Sequence, residues 1–135
     1  MLVSDRYAIC DVFTSASREI NGKTYKVGTP ILYFRANPSA LNTELTPYNT
    51  GAEHARNIYN YRDNYFLMSL GRIADEKRHL LWTINGDKFY DFIQDPMILN
   101  FKKPFRPDSF LLISAGNDGL YGTKDDICNF DPNLP

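Results

Sequence analysis

The segment that most restricts the fold is "SFLLISAGNDGLYGTKDDI", in which an apolar run stops abruptly at a loop of small and oxygen-rich residues. The run, residues 109–114, has the length and bulk of a buried strand, and the Ala-Gly that follows cannot continue it. Residues 114–127 then hold three glycines, three aspartates and an asparagine. Hard cations such as Ca²⁺ take six to eight oxygen ligands from carboxylates, backbone carbonyls and water, and glycine lets a backbone turn its carbonyls inward. Asp118 and the Asp125-Asp126 pair are close enough in sequence to meet across a loop pinched by Gly119 and Gly122. Carbonyls around Ser114 to Gly116 would complete the shell. The spacing departs from the twelve-residue helix-loop-helix calcium motif, which needs ligands at alternate positions and a terminal Glu. The alternative is an Asn-Asp-Gly turn beside a solvated carboxylate pair. Adjacent carboxylates repel unless a cation or hydrogen bonds offset them, which favours the metal.

The rest of the chain must supply something for that strand to pack on. At 135 residues it makes one domain, residues 1–135, able to bury roughly two thirds of its unfolded surface. Nine Tyr and nine Phe favour strands and packed aromatic layers over a coiled coil or a disordered chain. Fifteen basic against sixteen acidic residues, net −1, give no global field to attract nucleic acid. No window approaches the run of about 18 apolar residues that a membrane span needs, and "MLVSDRYAIC" lacks the layout of a signal peptide.

Local signals place the other elements. Asn21-Gly22, between β-prone residues in "EINGKTYKVG", predicts a hairpin. "TPILYFRA", residues 29–36, predicts one strand, and "NPSALNTELTPYNTG" a surface loop. Helical spacing from Tyr61 through Tyr65 and Met68 to Arg72 predicts a helix over residues 64–70, capped by Asp63 and ended by Gly71. A second helix begins with Asp87 as N-cap, buries Phe89, Phe92 and Ile93, and stops before Pro96. The expected class is α+β: a small antiparallel sheet with inserted helices and a C-terminal metal-binding loop.

Other residues invite chemistry less strongly. Cys10 and Cys128 fit no zinc spacing and serve equally well as a disulfide or as two buried thiols. His54 and His79 have no acidic or cysteine neighbour at ligand spacing and read as surface or packed residues. No G-x-S-x-G elbow or phosphate-binding glycine motif occurs, and Asp87 with Asp91 reads as a solvated helix face, so no enzyme is expected. "RNIYNYRDNYF" interleaves Arg56 and Arg62 with Tyr59, Tyr61 and Tyr65; packing of an inserted helix is the leading reading, a subunit or glycan contact the second.

"PFRPDSFLLISAGNDGLYGTKDDICNF", together with the strand "GTPILYFRA", resembles the C-terminal segment of type II secretion pseudopilins of the major-pseudopilin class. In that family the loop pairs a "DG" turn with a downstream "DI" and binds calcium. The resemblance spans roughly a quarter of the chain and leaves residues 37–103 unmatched. It implies a pilin-like globular head and a Ca²⁺ ion held by Asp118 and Asp126. Asp125 has no secure counterpart in the family loop, and the resemblance implies that the metal, rather than a hydrophobic core, holds the loop. It also implies partnership with other pilin-like subunits of a filament, periplasmic or cell-surface location, and membrane attachment only through an N-terminal apolar helix. The rival expectation is an extracellular calcium-dependent glycan- or protein-binding module using the tyrosine-rich segment.

Overall fold

A computed structural model describes residues 8–41, 56–83 and 85–134. The domain is α+β, with two small antiparallel sheets and two short helices. β1 (Cys10–Ile20) and β2 (Lys23–Pro30) form the expected hairpin, paired from Ile20↔Lys23 to Ser15↔Gly28, with an irregularity in register before Cys10↔Pro30. Asn21 and Gly22 both take positive φ, 52° and 75°, the twist a two-residue turn needs to match its strands.

The strand expected over residues 29–36 is divided. Pro30 has no N–H and closes β2, Ile31 donates to the Ile9 carbonyl at 2.8 Å, and β3 (Leu32–Arg35) then enters a different sheet. There it pairs with β4 (Phe110–Ser114), Leu32 against Ile113 and Arg35 against Phe110. β4 pairs in turn with β5 (Ile127–Cys128). The single expected sheet is therefore two, because the chain changes partners at a proline.

The first helix is shorter than its spacing predicts. A 3-10 turn at Tyr61–Asn64 leads into α1, only Tyr65–Met68. Asn60, rather than Asp63, caps the turn, its Oδ1 accepting from the Arg62 N–H at 3.1 Å. Asn64 is diverted to the sheet: its Nδ2 donates to the Tyr33 carbonyl at 2.8 Å and its Oδ1 accepts from the Tyr33 N–H at 3.4 Å. One side-chain amide thus stands in for a neighbouring strand along β3.

α2 (Asp87–Ile93) buries Phe89, Phe92 and Ile93 as expected, and Tyr90 as well. Asp87 is its first helical residue. The cap position belongs to Gly86 at φ 74°, where any Cβ would lie 2.4 Å from the Tyr61 ring. The core forms where α2 meets the β3-β4 face, with Phe34 and Phe89 at 4.5 Å between ring centroids and Leu32, Ile93, Leu111 and Ile113 closed around them. Truncating a ring such as Phe89 to Ala would cost about 3–5 kcal/mol.

The tyrosine-rich segment belongs to this core. Tyr59 is 0% and Tyr61 1% exposed, the Tyr59 hydroxyl donates to the Arg106 carbonyl, and the Tyr90 hydroxyl accepts from Asn57 Nδ2 at 2.8 Å. Burial pushes the Tyr59 and Tyr90 hydroxyls up to about 12. Among the described residues no helix is long and apolar enough to cross a membrane.

Candidate functional site

β4 carries the chain out of the core into the aspartate loop through Ser114 and Ala115, both buried. Gly116 follows at φ 58°, and a Cβ there would sit 2.2 Å from the Asp125 carbonyl oxygen. The two ends of the loop touch at a point only glycine can occupy.

Each aspartate is engaged with the backbone. Asp125 Oδ2 accepts from the N–H groups of Asn117 and Asp118, at 2.7 and 2.9 Å, and its Oδ1 accepts from the Thr123 hydroxyl at 2.5 Å. The Thr123 hydroxyl first, and then the backbone donors, hold this exposed carboxyl below the usual carboxylate range. Asp118 Oδ1 accepts from the Leu120 N–H at 2.7 Å. Asp126 turns the other way, its Oδ2 accepting from Gly122 N–H at 2.7 Å and its Oδ1 from Thr123 N–H at 3.3 Å. Desolvation outweighs these bonds and pushes the Asp126 carboxyl up to about 7.

Asp125 thus reaches the backbone of Asp118 across the loop, while Asp126 ties the turn at Gly122 and Thr123 and lies near enough to Asp118 for their charges to repel. Among the described residues no three His, Cys, Asp or Glu side chains converge tightly enough to form a metal-binding group. Asp125, the aspartate with least support from the family pattern, accepts three hydrogen bonds, as many as Asp126, whose Oδ1 also faces the Thr123 hydroxyl at 3.3 Å.

The expectation that a metal rather than a core organises the loop needs correction. Tyr121, in its middle, is fully buried; its hydroxyl donates to the Pro30 carbonyl at 2.5 Å, and its own carbonyl accepts from Leu80 and Leu81 at 3.0 and 3.3 Å. His79 secures the same point. Its Nδ1 accepts from the Tyr121 N–H at 3.3 Å and its Nε2–H is directed at the carbonyls of Met68 (2.9 Å) and Ile73 (3.2 Å). That arrangement needs a neutral ring, and burial lowers the His79 pKa accordingly. The middle of the loop is core, and carboxylates tie the turns on either side of it.

Asp11, on β1, was invisible to sequence reasoning. Its Oδ2 accepts from the Ser114 hydroxyl at 3.0 Å across a separation of 103 residues, while its Oδ1 is buried with no hydrogen-bond partner among the described residues. Such an orphaned oxygen beside an oxygen-rich loop suits a cation or a water. The two cysteines are free thiols, and burial pushes Cys128 up to about 12, which makes it inert as a nucleophile. His79 is packed, as its surroundings in sequence imply, and His54 lies outside the described residues. Comparison with protein-family models, with curated proteins and with solved structures finds no match.

Proposed function

We propose that this domain is the calcium-stabilised globular head of a pseudopilin-like subunit, a structural component of a type II secretion pseudopilus or related filament. The observation that carries the reading is the approach of Asp125 to Asp118 across the loop, at 2.9 Å from carboxylate to amide, beneath a turn built on three positive-φ glycines. The donors are all oxygen, the chemistry Ca²⁺ selects. Asp118 and Asp125 are exposed at the outer surface, and with nearby carbonyls they would hold the ion; Asp126 and the backbone at Ser114 would form its inner side. Bound calcium would supply positive charge to offset the loop's carboxylates and would stiffen the outer half of the loop. The orphaned Asp11 oxygen next to Ser114 agrees with a cation in this region.

Burial of Tyr59 and Tyr61 takes from the glycan-module alternative two of its three rings and leaves the half-buried Tyr65. In the filament reading the same rings serve to seat residues 56–68 on the sheet.

Calorimetric titration of metal-free protein tests the calcium half of the proposal. One site is expected, weakened by Asp118→Ala and by Asp126→Ala. Absence of binding at millimolar calcium would overturn it. Cross-linking of the intact subunit in its native cells tests the filament half: a ladder of subunit multiples is expected, and monomer alone would contradict it.

A further inference from the structure

Residues 95–103, "DPMILNFKK", leave the core at the end of α2 and return to it, and three of their four large apolar side chains are exposed. The base is closed by backbone bonds. The Asp95 N–H donates to the Lys103 carbonyl at 2.8 Å, Gln94 bridges Pro104, and the Phe105 N–H donates to the Ile93 carbonyl at 2.8 Å. Asp95 Oδ1 accepts from the Met97 N–H at 2.9 Å, which holds this carboxylate at the base of the loop. Beyond that base Met97 is 85%, Leu99 91% and Phe101 53% exposed. Lys102 follows directly and is exposed, and Lys103 Nζ lies 5.9 Å from the Phe101 ring centroid.

From this arrangement we infer that the 95–103 loop is a membrane-surface anchor that sets Met97, Leu99 and Phe101 into the interface of an anionic bilayer with Lys102 and Lys103 at headgroup level. Two observations favour a lipid surface over a protein. Three side chains on one loop cannot provide the roughly 800 Å² per partner that a stable protein pair buries, whereas a fluid interface accepts a small apolar tip without a matching groove. The charges that follow Phe101 are both positive and the loop's one carboxylate, Asp95, is held at its base, so on a chain of net charge −1 attraction to anionic lipid is local to this tip. Because the base is already pinned, little of the loop needs ordering on insertion.

Flotation of the folded domain with phosphatidylglycerol–phosphatidylcholine vesicles tests the inference. Binding is expected, weaker on phosphatidylcholine alone and reduced by salt. The triple variant Met97→Ser/Leu99→Ser/Phe101→Ser should lose binding by about tenfold or more while melting like the parent, and Lys102→Gln/Lys103→Gln should lose the preference for anionic lipid. A Leu99→Trp variant gives a readout that does not depend on a loss: its added emission should shift to the blue on anionic vesicles. No flotation of the parent, equal flotation of the triple variant, or an unshifted Trp would each overturn the anchor. So would self-association in sedimentation that the triple variant abolishes without any lipid binding, which would assign the tip to a protein contact.

Discussion

Two loops leave the same core and are closed by opposite means. In residues 95–103 the backbone closes the base and the large apolar side chains are left outside. In residues 114–127 side chains do the closing, the exposed Asp118 and Asp125 and the half-buried Asp126 on backbone amides and one buried tyrosine within. The difference teaches where sequence change will be felt. A loop tied by its backbone can exchange its tip residues without loss of stability, so those residues answer to a partner. A loop tied by its side chains answers to the fold first.

The comparison breaks most readily at Tyr121. Tyr121→Ala removes a fully buried ring and its bond to the Pro30 carbonyl, and should cost about 3–5 kcal/mol in urea unfolding. Gly116→Ala comes next, at roughly 2 kcal/mol or more, since φ 58° and the contact with the Asp125 carbonyl are both hostile to a side chain. A Gly116→Ala protein as stable as the parent would mean that the ends of the loop are not pressed together.

Smaller effects sharpen the contrast. In metal-free protein Asp125→Ala should destabilise by about 1 kcal/mol and more than Asp118→Ala, because it releases the Asn117 and Asp118 amides and the Thr123 hydroxyl together, whereas Asp118 serves one amide. The reverse order would deny Asp125 its closing role. At the small end, Leu99→Ser in the other loop should change stability by no more than about 0.5 kcal/mol, its side chain being 91% exposed.

Asp126 separates the loops by pH. Its carboxyl stands near 7 in the folded protein against about 3.9 in an unfolded chain, so its contribution is complete in acid and lost as pH rises through about 7. Metal-free protein should therefore melt at a lower temperature at pH 8 than at pH 6. Asp126→Asn should flatten that decline, and calcium should oppose it by favouring the ionised form. His79 adds the opposite slope on the acid side: its lowered pKa means stability is lost as pH falls below about 6.5.

What could be read from the sequence was whatever local chemistry decides. The Asn21-Gly22 turn and the buried face of α2 depend on neighbours a few residues away, and both appear where the sequence predicts. The single strand through Pro30 failed because the change of sheet is decided by distant partners, Ile9 on one side and Ile113 on the other. Asn64 carries no signal that its amide will serve Tyr33 rather than a helix, and Asp11 none that it will reach Ser114. Within the aspartate loop the composition announced oxygen-rich chemistry, but it hid Tyr121, because one aromatic among glycines reads equally well as solvent-facing. Residues 97–101 hold four apolar side chains, and only the fold reveals that Met97, Leu99 and Phe101 are exposed.

Amide hydrogen exchange with and without calcium tests the central claim most directly, because it locates the ion as well as detecting it. Saturating calcium should slow exchange at Asn117, Asp118, Leu120, Gly122 and Thr123, whose N–H groups sit on the three carboxylates, and should leave Asp95 and Lys103 in the other loop unchanged. For extracellular-type affinity, millimolar calcium corresponds to about 0.4 to 1.4 kcal/mol of added stability, enough to register as a several-fold slowing of amides that exchange through the loop opening that releases the ion. Unchanged exchange throughout 114–127, in protein stripped of metal beforehand and then saturated with calcium, would contradict the account.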